Sequence, residues 1–366
     1  MNFLIWAFFL FSCIAKAELK YLNTYEENKS EFIKIAGLHL LPAWPLKSNQ
    51  NLTTDLALYK NNSDQLIVFS SGLHGIEGFV GSALQRQLMQ NLKEKSDVLM
   101  IHSLNPWGMN HLRRVNADNI DLNRNFSVDQ KLYENKNDDY LKINSFLNPA
   151  EKLELGFGHK FFFIFQSVKL ILNYGMESLR KSILIGQYSE KNGLYFGGQI
   201  QSELQPHVDE LFQTTLSKYK KVIWIDLHTG YGARGQLHIL ANDSKSASGQ
   251  RISNLFKNQK VDFGDQKNFY KSTGDLCDYL NSKSTSQTEI TAVVFEYGTM
   301  DSQKTLGSIE SLRRMVIENQ GFHQGYSDAE SKIKNNEMFR DMFFPQEQAW
   351  KDSVLKQTEN IIEKLK

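Results

Sequence analysis

Cysteine is almost absent from this chain of 366 residues: there are two, Cys13 and Cys277. A small disulfide-stapled scaffold is thereby excluded, and the fold must rest on core burial and any bound metal. An excess of charge of either sign is also missing. Lysine plus arginine number 42 against 41 acids, so no basic surface for nucleic acid and no polybasic membrane tether is expected. Internal repeats and low-complexity linkers are missing too. The apolar run Phe161–Phe165, continued by Val168–Leu172, is broken by Gln166, Ser167 and Lys169. It falls short of the about 20 residues that a bilayer needs. What remains is ordinary globular composition, 41% hydrophobic and 23% charged, with length for a large core. One domain over residues 18–366, with an insertion at about 127–200, is the simplest organisation.

The first seventeen residues differ from the rest. Phe3 to Ile14 is almost wholly apolar, and Ala15–Lys16–Ala17 has the A-x-A form of a cleavage site. The expectation is a signal peptide over residues 1–17, cut after Ala17, and an exported protein, periplasmic or secreted. A basic start is missing, since only the amino terminus is charged before Lys16. The segment is short for an uncleaved anchor. Phe11 and the lack of early lysines disfavour lipid attachment at Cys13. After cleavage no membrane span is expected, and Cys277 has no partner for an intrachain disulfide.

Four apolar runs read as strands: Gln65–Phe69, Asp97–His102, Lys220–Asp226 and Thr291–Phe295. Asn51 to Tyr59 offers a further strand within the otherwise weakly patterned residues 18–60. Between the first two runs, Gly81 to Asn91 has helical spacing, so strand, helix and strand form a βαβ unit and predict a mostly parallel sheet. The insertion predicts a buried or half-buried helix in the Phe161–Leu172 region, packed as core rather than acting as a lid. Ser302 to Asn319 and the stripe Trp350, Val354, Ile361 and Leu365 predict two later helices.

The stretch after the first strand, Gly72–Leu73–His74–Gly75–Ile76–Glu77–Gly78, carries H-x-x-E, an imidazole and a carboxylate spaced for one metal ion. The third strand leads into His228 and the fourth into Glu296, each followed shortly by glycine. Ligands in open α/β sheets bind beyond the carboxyl ends of the strands, where all four side chains are expected. Catalytic zinc takes three protein ligands of this kind, and His74, Glu77 and His228 complete a His₂Glu set. Glu296 is then placed as a general base. His102 and His238 share part of the strand-end context and are the rival imidazoles. His39, His111, His159, His207 and His323 read as surface or packing residues. Asn123 and Arg124 make a pair suited to a substrate carboxylate, or to holding a loop.

The ordered set H-x-x-E, then R-x-N, then D-L-N-R-N-F, then a strand ending D-L-H and a strand ending F-E, resembles the zinc carboxypeptidases of the M14 family. Within it the chain looks like the DUF2817 group. The resemblance spans Gln65 to Gly298, the insertion excepted. It implies a zinc carboxypeptidase-like α/β fold (phosphorylase/hydrolase-like), with a mixed, mostly parallel central sheet flanked by helices. One Zn²⁺ would be held by His74, Glu77 and His228, and Asp121 would hydrogen-bond the first ligand histidine. Asn123 and Arg124 would grip the substrate carboxylate. Arg114 would polarise the scissile carbonyl, with Arg113 as its adjacent rival. Glu296 would activate the attacking water and then protonate the leaving amine. Tyr270, in a stretch like the family's Y-x-x-x-G-x-x-x-D loop, would close over substrate, with Tyr279 or Tyr297 as alternatives. Cys277 falls where the family sets side-chain preference, and its small side chain implies neither a basic nor an acidic one. The implied reaction is cleavage of an amide next to a free carboxylate, at a peptide or cell-wall-peptide C-terminus. Thr229–Gly230 after the third ligand and the foreign insertion keep two alternatives open: an N-acyl amino acid deacylase on the same fold, and a non-catalytic zinc- or peptide-binding protein. The oligomeric state has no signature here.

Overall fold

The computed structural model describes residues 19–91, 95–266 and 271–365. The signal-peptide reading, Cys13 and Tyr270 fall outside the described residues.

Eight strands form one sheet: β1 (Trp44–Pro45), β2 (Thr53–Tyr59), β3 (Gln65–Ser71), β4 (Asp97–His102), β5 (Lys221–Gly230), β6 (Leu237–Ala241), β7 (Val261–Phe263) and β8 (Glu289–Gly298). Their order is β1-β2-β4-β3-β5-β8-β6-β7. The centre β4-β3-β5-β8 is parallel throughout, as the βαβ reading predicts. β2 runs antiparallel to β4, and β6 antiparallel to β8, so the sheet is mixed towards its edges. Alternate residues of the central strands enter two separate apolar clusters, Ile67, Phe69, Ile223 and Ile225 in one, Leu66, Val68, Val222 and Trp224 in the other. Burial on both faces explains why these strands read as unbroken apolar runs.

The chain leaves β3 towards β4 on one side, while β5 pairs on the other. The crevice where strand order reverses therefore lies at the carboxyl ends of β3 and β5. One expectation about this end is corrected. β5 and β8 run to Gly230 and Gly298, so His228 and Glu296 lie inside their strands and pair side by side in register. Only His74 and Glu77 lie beyond a strand end. Hydrogen bonding continues because Thr229 and Tyr297 are still held in the ladder.

The insertion carries the expected helix, and it is half-buried: Phe163 enters the core, and Ile164, Leu170 and Ile171 pack against it. Its main helix is His159–Tyr174, but only Phe163 and Ser167 are buried. Phe161, Phe165 and Leu172 stand 75%, 58% and 81% exposed. A helix apolar on all sides cannot be identified as core from pattern alone, and this one has apolar residues on two faces. A second helix, Met176–Leu184, follows it. Among the described residues no helix is long and apolar enough to cross a membrane.

Several helices escaped the sequence reading, Tyr25–Ala36 and Ala329–Phe343 among them. Tyr25–Ala36 is capped by Thr24, whose side chain accepts from Glu27 N, while Glu27 Oε2 accepts from Asn23 N. This Thr-x-x-Glu signal is close to a capping box. Ala329–Phe343 packs against the helix Thr305–Gln324, which extends the expected Ser302–Asn319 segment at its far end. The last helix, Gln348–Ile362, buries the expected stripe Trp350, Val354 and Ile361, and Leu365 beyond it is buried too.

Candidate metal centre

After β3 the chain must turn sharply to enter the helix Gly78–Gln90, and glycines make this possible. Gly72 sits at φ +68°, and a Cβ there would meet Ser103 Oγ at 2.1 Å. Gly75 lies against Gly108, whose carbonyl carbon would be 2.1 Å from an added Cβ. Backbone bonds from Gly75 N to Arg114 O and from Ile76 N to Arg113 O clamp the turn. The residues Gly75–Glu77 form one 3₁₀ turn, and side chains three apart eclipse in that geometry. His74 and Glu77 are thus brought together, with Nδ1 2.9 Å from Oε1.

His228 meets this pair from β5. Its Nδ1 lies 3.0 Å from His74 Nδ1 and 2.9 Å from Glu77 Oε2. All three residues are buried, and their donor atoms lie within 4.8 Å of one another. Two ring nitrogens facing each other at this distance share at most one hydrogen. The arrangement is that of donors aimed at a common cation: ligands bound at about 2.0–2.1 Å to one zinc stand about 3 Å apart. The donor set therefore fits a zinc-type ion. Nearby, Thr229 N donates to Glu77 Oε2 at 3.0 Å, while the buried Thr229 Oγ1 has no hydrogen-bond partner among the described residues.

The outer nitrogens of both imidazoles face carboxylates. His228 Nε2 is 2.6 Å from Asp226 Oδ2, and Asp226 Oδ1 accepts from Ser70 Oγ, itself bonded by Trp224 Nε1. His74 Nε2 is 3.2 Å from Asp121 Oδ1 and 2.7 Å from Arg114 Nη2. That nitrogen donates to the acid or accepts from the guanidinium, and a metal on Nδ1 selects the first tautomer. Asp226 was not singled out from sequence. The signal was present in Asp226–Leu227–His228, since residues two apart on a strand point to one face. Replacing Asp226 by Asn is expected to weaken metal affinity by about 10–100-fold, read by competition with a chromogenic chelator.

Charge in the site is strongly organised. Burial would raise Glu77, but His74 and His228 override it and hold the carboxyl well below its usual range. Burial would lower His228, yet Asp226 and Glu77 raise it well above the ordinary imidazole value. Asp121 is likewise held low against its burial by Arg114 and His74. Glu296 goes the other way, pushed up to about 8 by burial first and by the Glu77 charge second. Its Oε1 accepts from Tyr231 N at 2.9 Å, which orients the carboxyl across the site.

His74, Glu77, His228, Glu296, Arg114, Asn123, Arg124 and Cys277 all line one cavity of ≈ 220 Å³. Arg114 donates from Nε to Asp121 Oδ2 at 3.0 Å. Arg113 points elsewhere, to Glu318 and Asn319. Arg124 is buried, with Nε and Nη2 on Leu184 O and Nη1 on Asn123 O. Among the described residues no carboxylate pairs with it. Asn123 Oδ1 accepts from Leu276 N. The buried Cys277 thiol has two acids beside it, Asp278, the last residue of the Y-x-x-x-G-x-x-x-D stretch, and Asp275, which the sequence reading overlooked; both line the cavity there, so that part of it is acidic. Tyr279 and Tyr297, the alternatives to Tyr270, turn their hydroxyls to Asp209 and Thr358. The rival imidazoles are accounted for as well. His102 is buried between Tyr25 and Phe32 with neither ring nitrogen bonded among the described residues, and His238 pairs with Asp262.

Residues 21–357 match the family described as a protein of unknown function, DUF2817. No curated protein matches. Among solved structures, carboxypeptidase A from Helicoverpa armigera is similar at 10% identity, covering 87% of this chain and 74% of that one, with a TM-score of 0.47. A metallo-carboxypeptidase from Pseudomonas aeruginosa, in complex with (2-guanidinoethylmercapto)succinic acid, shares 12% identity, with 93% and 69% coverage and a TM-score of 0.42. A succinylglutamate desuccinylase/aspartoacylase from Rhodobacter sphaeroides shares 14% identity, with 77% and 64% coverage and a TM-score of 0.38.

Proposed function

The chain belongs to the DUF2817 family, and from that premise we propose that it is an exported zinc-dependent hydrolase that cleaves an amide bond next to a free carboxylate. The observation that carries this reading is the meeting of His74 Nδ1, His228 Nδ1 and Glu77 beside a Glu296 carboxyl that is buried and raised. Bound by those three residues, one zinc ion supplies Lewis acidity.

The chain's own residues do the remainder. Glu296 keeps Oε1 on the Tyr231 N–H, so Oε2 is the oxygen that takes the proton of the attacking water. The same carboxylic acid then gives its proton to the departing amine. Asp121 and Asp226 hold the imidazoles in one tautomer and orientation. Arg114, fixed by Asp121, presents its guanidinium to the scissile carbonyl oxygen as charge grows there. Arg124 has lone N–H groups beyond those spent on Leu184 O and Asn123 O, and these bind the substrate carboxylate beside Asn123.

Metal analysis combined with a digest of peptides and acylated amino acids, read by mass spectrometry, tests the proposal. Loss of a C-terminal residue or of an acyl group by the zinc-loaded protein is the expected result. Full zinc occupancy without turnover of any amide would leave a binding protein instead. Arg124→Gln keeps a donor for Leu184 O but removes the fixed charge. Its KM is expected to rise by about 10–100-fold with kcat little changed, the signature of lost uniform binding. Export is tested separately: the N-terminus of the mature protein, sequenced from the producing cell, should begin at Glu18.

A further inference from the structure

The main helix of the insertion, His159–Tyr174, is apolar on the side that faces away from the protein as well as on the side that packs. Phe163 and Ser167 are buried, and Ile164, Leu170 and Ile171 pack beside the core. Phe161, Phe165, Val168 and Leu172 are exposed instead. Steps of four, three and four residues set these within about 60° of arc, so they form one outward stripe. Phe162 beside them is exposed, and so is Phe157, four residues before Phe161. Exposed apolar residues scattered singly are normal, but a contiguous patch of this kind marks a surface that meets something other than water.

Charge indicates what it meets. Between Glu154 and Glu177 the chain carries Lys160 and Lys169 and no acid. Lys169 is exposed, with no ion pair among the described residues. Lys160 reaches Glu310 at 3.6 Å but stays 64% exposed, and a surface pair of this kind is weak. An outer face of phenylalanine and aliphatic residues, with only cations beside it, suits the interface of an anionic bilayer. Lipid phosphates draw the lysines, and the apolar stripe sinks to the boundary of the acyl chains. A second copy of this chain fits less well. The helix has 16 residues and is about 24 Å long and about 10 Å across. Its outer face offers roughly 240 Å² of projected area, against about 800 Å² buried per partner in a stable interface. A bilayer needs no matching surface, since binding grows with the apolar area and the charge that are present.

We propose that the outer face of His159–Tyr174 seats this protein on an anionic lipid membrane surface, with the helix axis parallel to the bilayer. The helix lies along the membrane and does not cross it, in keeping with its length. Leu170 and Ile171, on the packed side, line the cavity of the candidate metal centre. Docking therefore brings that cavity to one helix thickness, about 10 Å, from the lipid. The proposal is independent of the reaction that the site performs.

The chain from Glu18 is the one to test, so that the apolar residues 1–17 add nothing to binding. Co-sedimentation with vesicles of phosphatidylcholine alone, and of phosphatidylcholine mixed with phosphatidylglycerol, reads the partition coefficient. It is expected to be about tenfold higher on the mixed vesicles and to fall with added salt. Phe161→Ser combined with Phe165→Ser should lower it at least about tenfold, with thermal melting checking the fold. Lys169→Glu should lower it about tenfold on the mixed vesicles and leave the neutral ones unchanged. Phe165→Trp should add fluorescence that moves to shorter wavelength when mixed vesicles are supplied. No partition onto mixed vesicles, or partition untouched by the paired serine variant, overturns the proposal. Equal partition onto both kinds of vesicle overturns its anionic part. A concentration-dependent dimer in sedimentation equilibrium, abolished by the same pair and accompanied by no vesicle binding, assigns the stripe to a second copy instead.

Discussion

Glu296→Gln is expected to lower kcat by about 10²–10⁴-fold on any amide the protein hydrolyses, while zinc stoichiometry stays at one per chain. The substitution keeps shape and keeps an acceptor for the Tyr231 N–H, so the site should not rearrange. What disappears is the ability to take and return a proton. The pH profile gives an independent reading. A base works only when deprotonated, so kcat/KM should rise with pH through the Glu296 titration. Without a cation that carboxyl is pushed up to about 8, first by burial and then by Glu77. A positive ion held by Glu77 acts in the opposite sense, so in the zinc-loaded enzyme the rising limb should fall below pH 8. Glu296→Gln should erase that limb. An unaltered profile, or activity within a few-fold of the native protein, would remove Glu296 from the reaction.

The central strands were legible because both of their faces are buried, and continuous apolar runs such as Leu66–Phe69 allow few other readings. Strand ends were harder. β5 and β8 continue through His228 and Glu296 into glycine, and polar residues inside a ladder look like its termination. The helix Tyr25–Ala36 was lost because its mean pattern is weak; only Tyr25, Asn28, Phe32 and Ala36 are buried, and one of these is polar. Its Thr24–Glu27 cap was the usable sign. The insertion helix was legible as half-buried, with Phe163 in the core, but its apolar pattern did not tell the face that borders the cavity from the one that meets solvent.

At the site, local spacing disclosed His74 and Glu77, because a 3₁₀ turn joins them directly. His228 was reachable only through the strand it follows. Asp226 went unnoticed although it stands two residues before His228, and Asp275 went unnoticed beside Cys277. Side chains that act through another group leave little trace in composition. For Asp226 the period of two along the strand was the sign to use, since it puts Asp226 and His228 on one face.

Removal of the metal should have the other large effect. The site gathers Glu77, Asp121, Asp226 and Glu296 around two imidazoles and Arg114, all enclosed by protein. In the metal-free protein the two Nδ1 atoms, 3.0 Å apart, compete for Glu77. A chelator should abolish turnover and lower thermal stability. At free zinc 1,000 times Kd the loaded fold gains about 4 kcal/mol over the empty one. His228→Ala should abolish both zinc binding and the stabilisation by added zinc. The pH dependence has a defined sign. Asp226 and Glu77 raise His228 well above its usual value, so near neutrality it carries a proton that must leave before Nδ1 can bind a cation. Apparent zinc affinity should therefore increase as pH rises from 6 to 8, by up to tenfold per unit for each proton displaced. Titration in two buffers of different ionisation enthalpy would count those protons. Zinc binding that is insensitive to pH, or that survives in His228→Ala, would mean that these three side chains do not hold the ion.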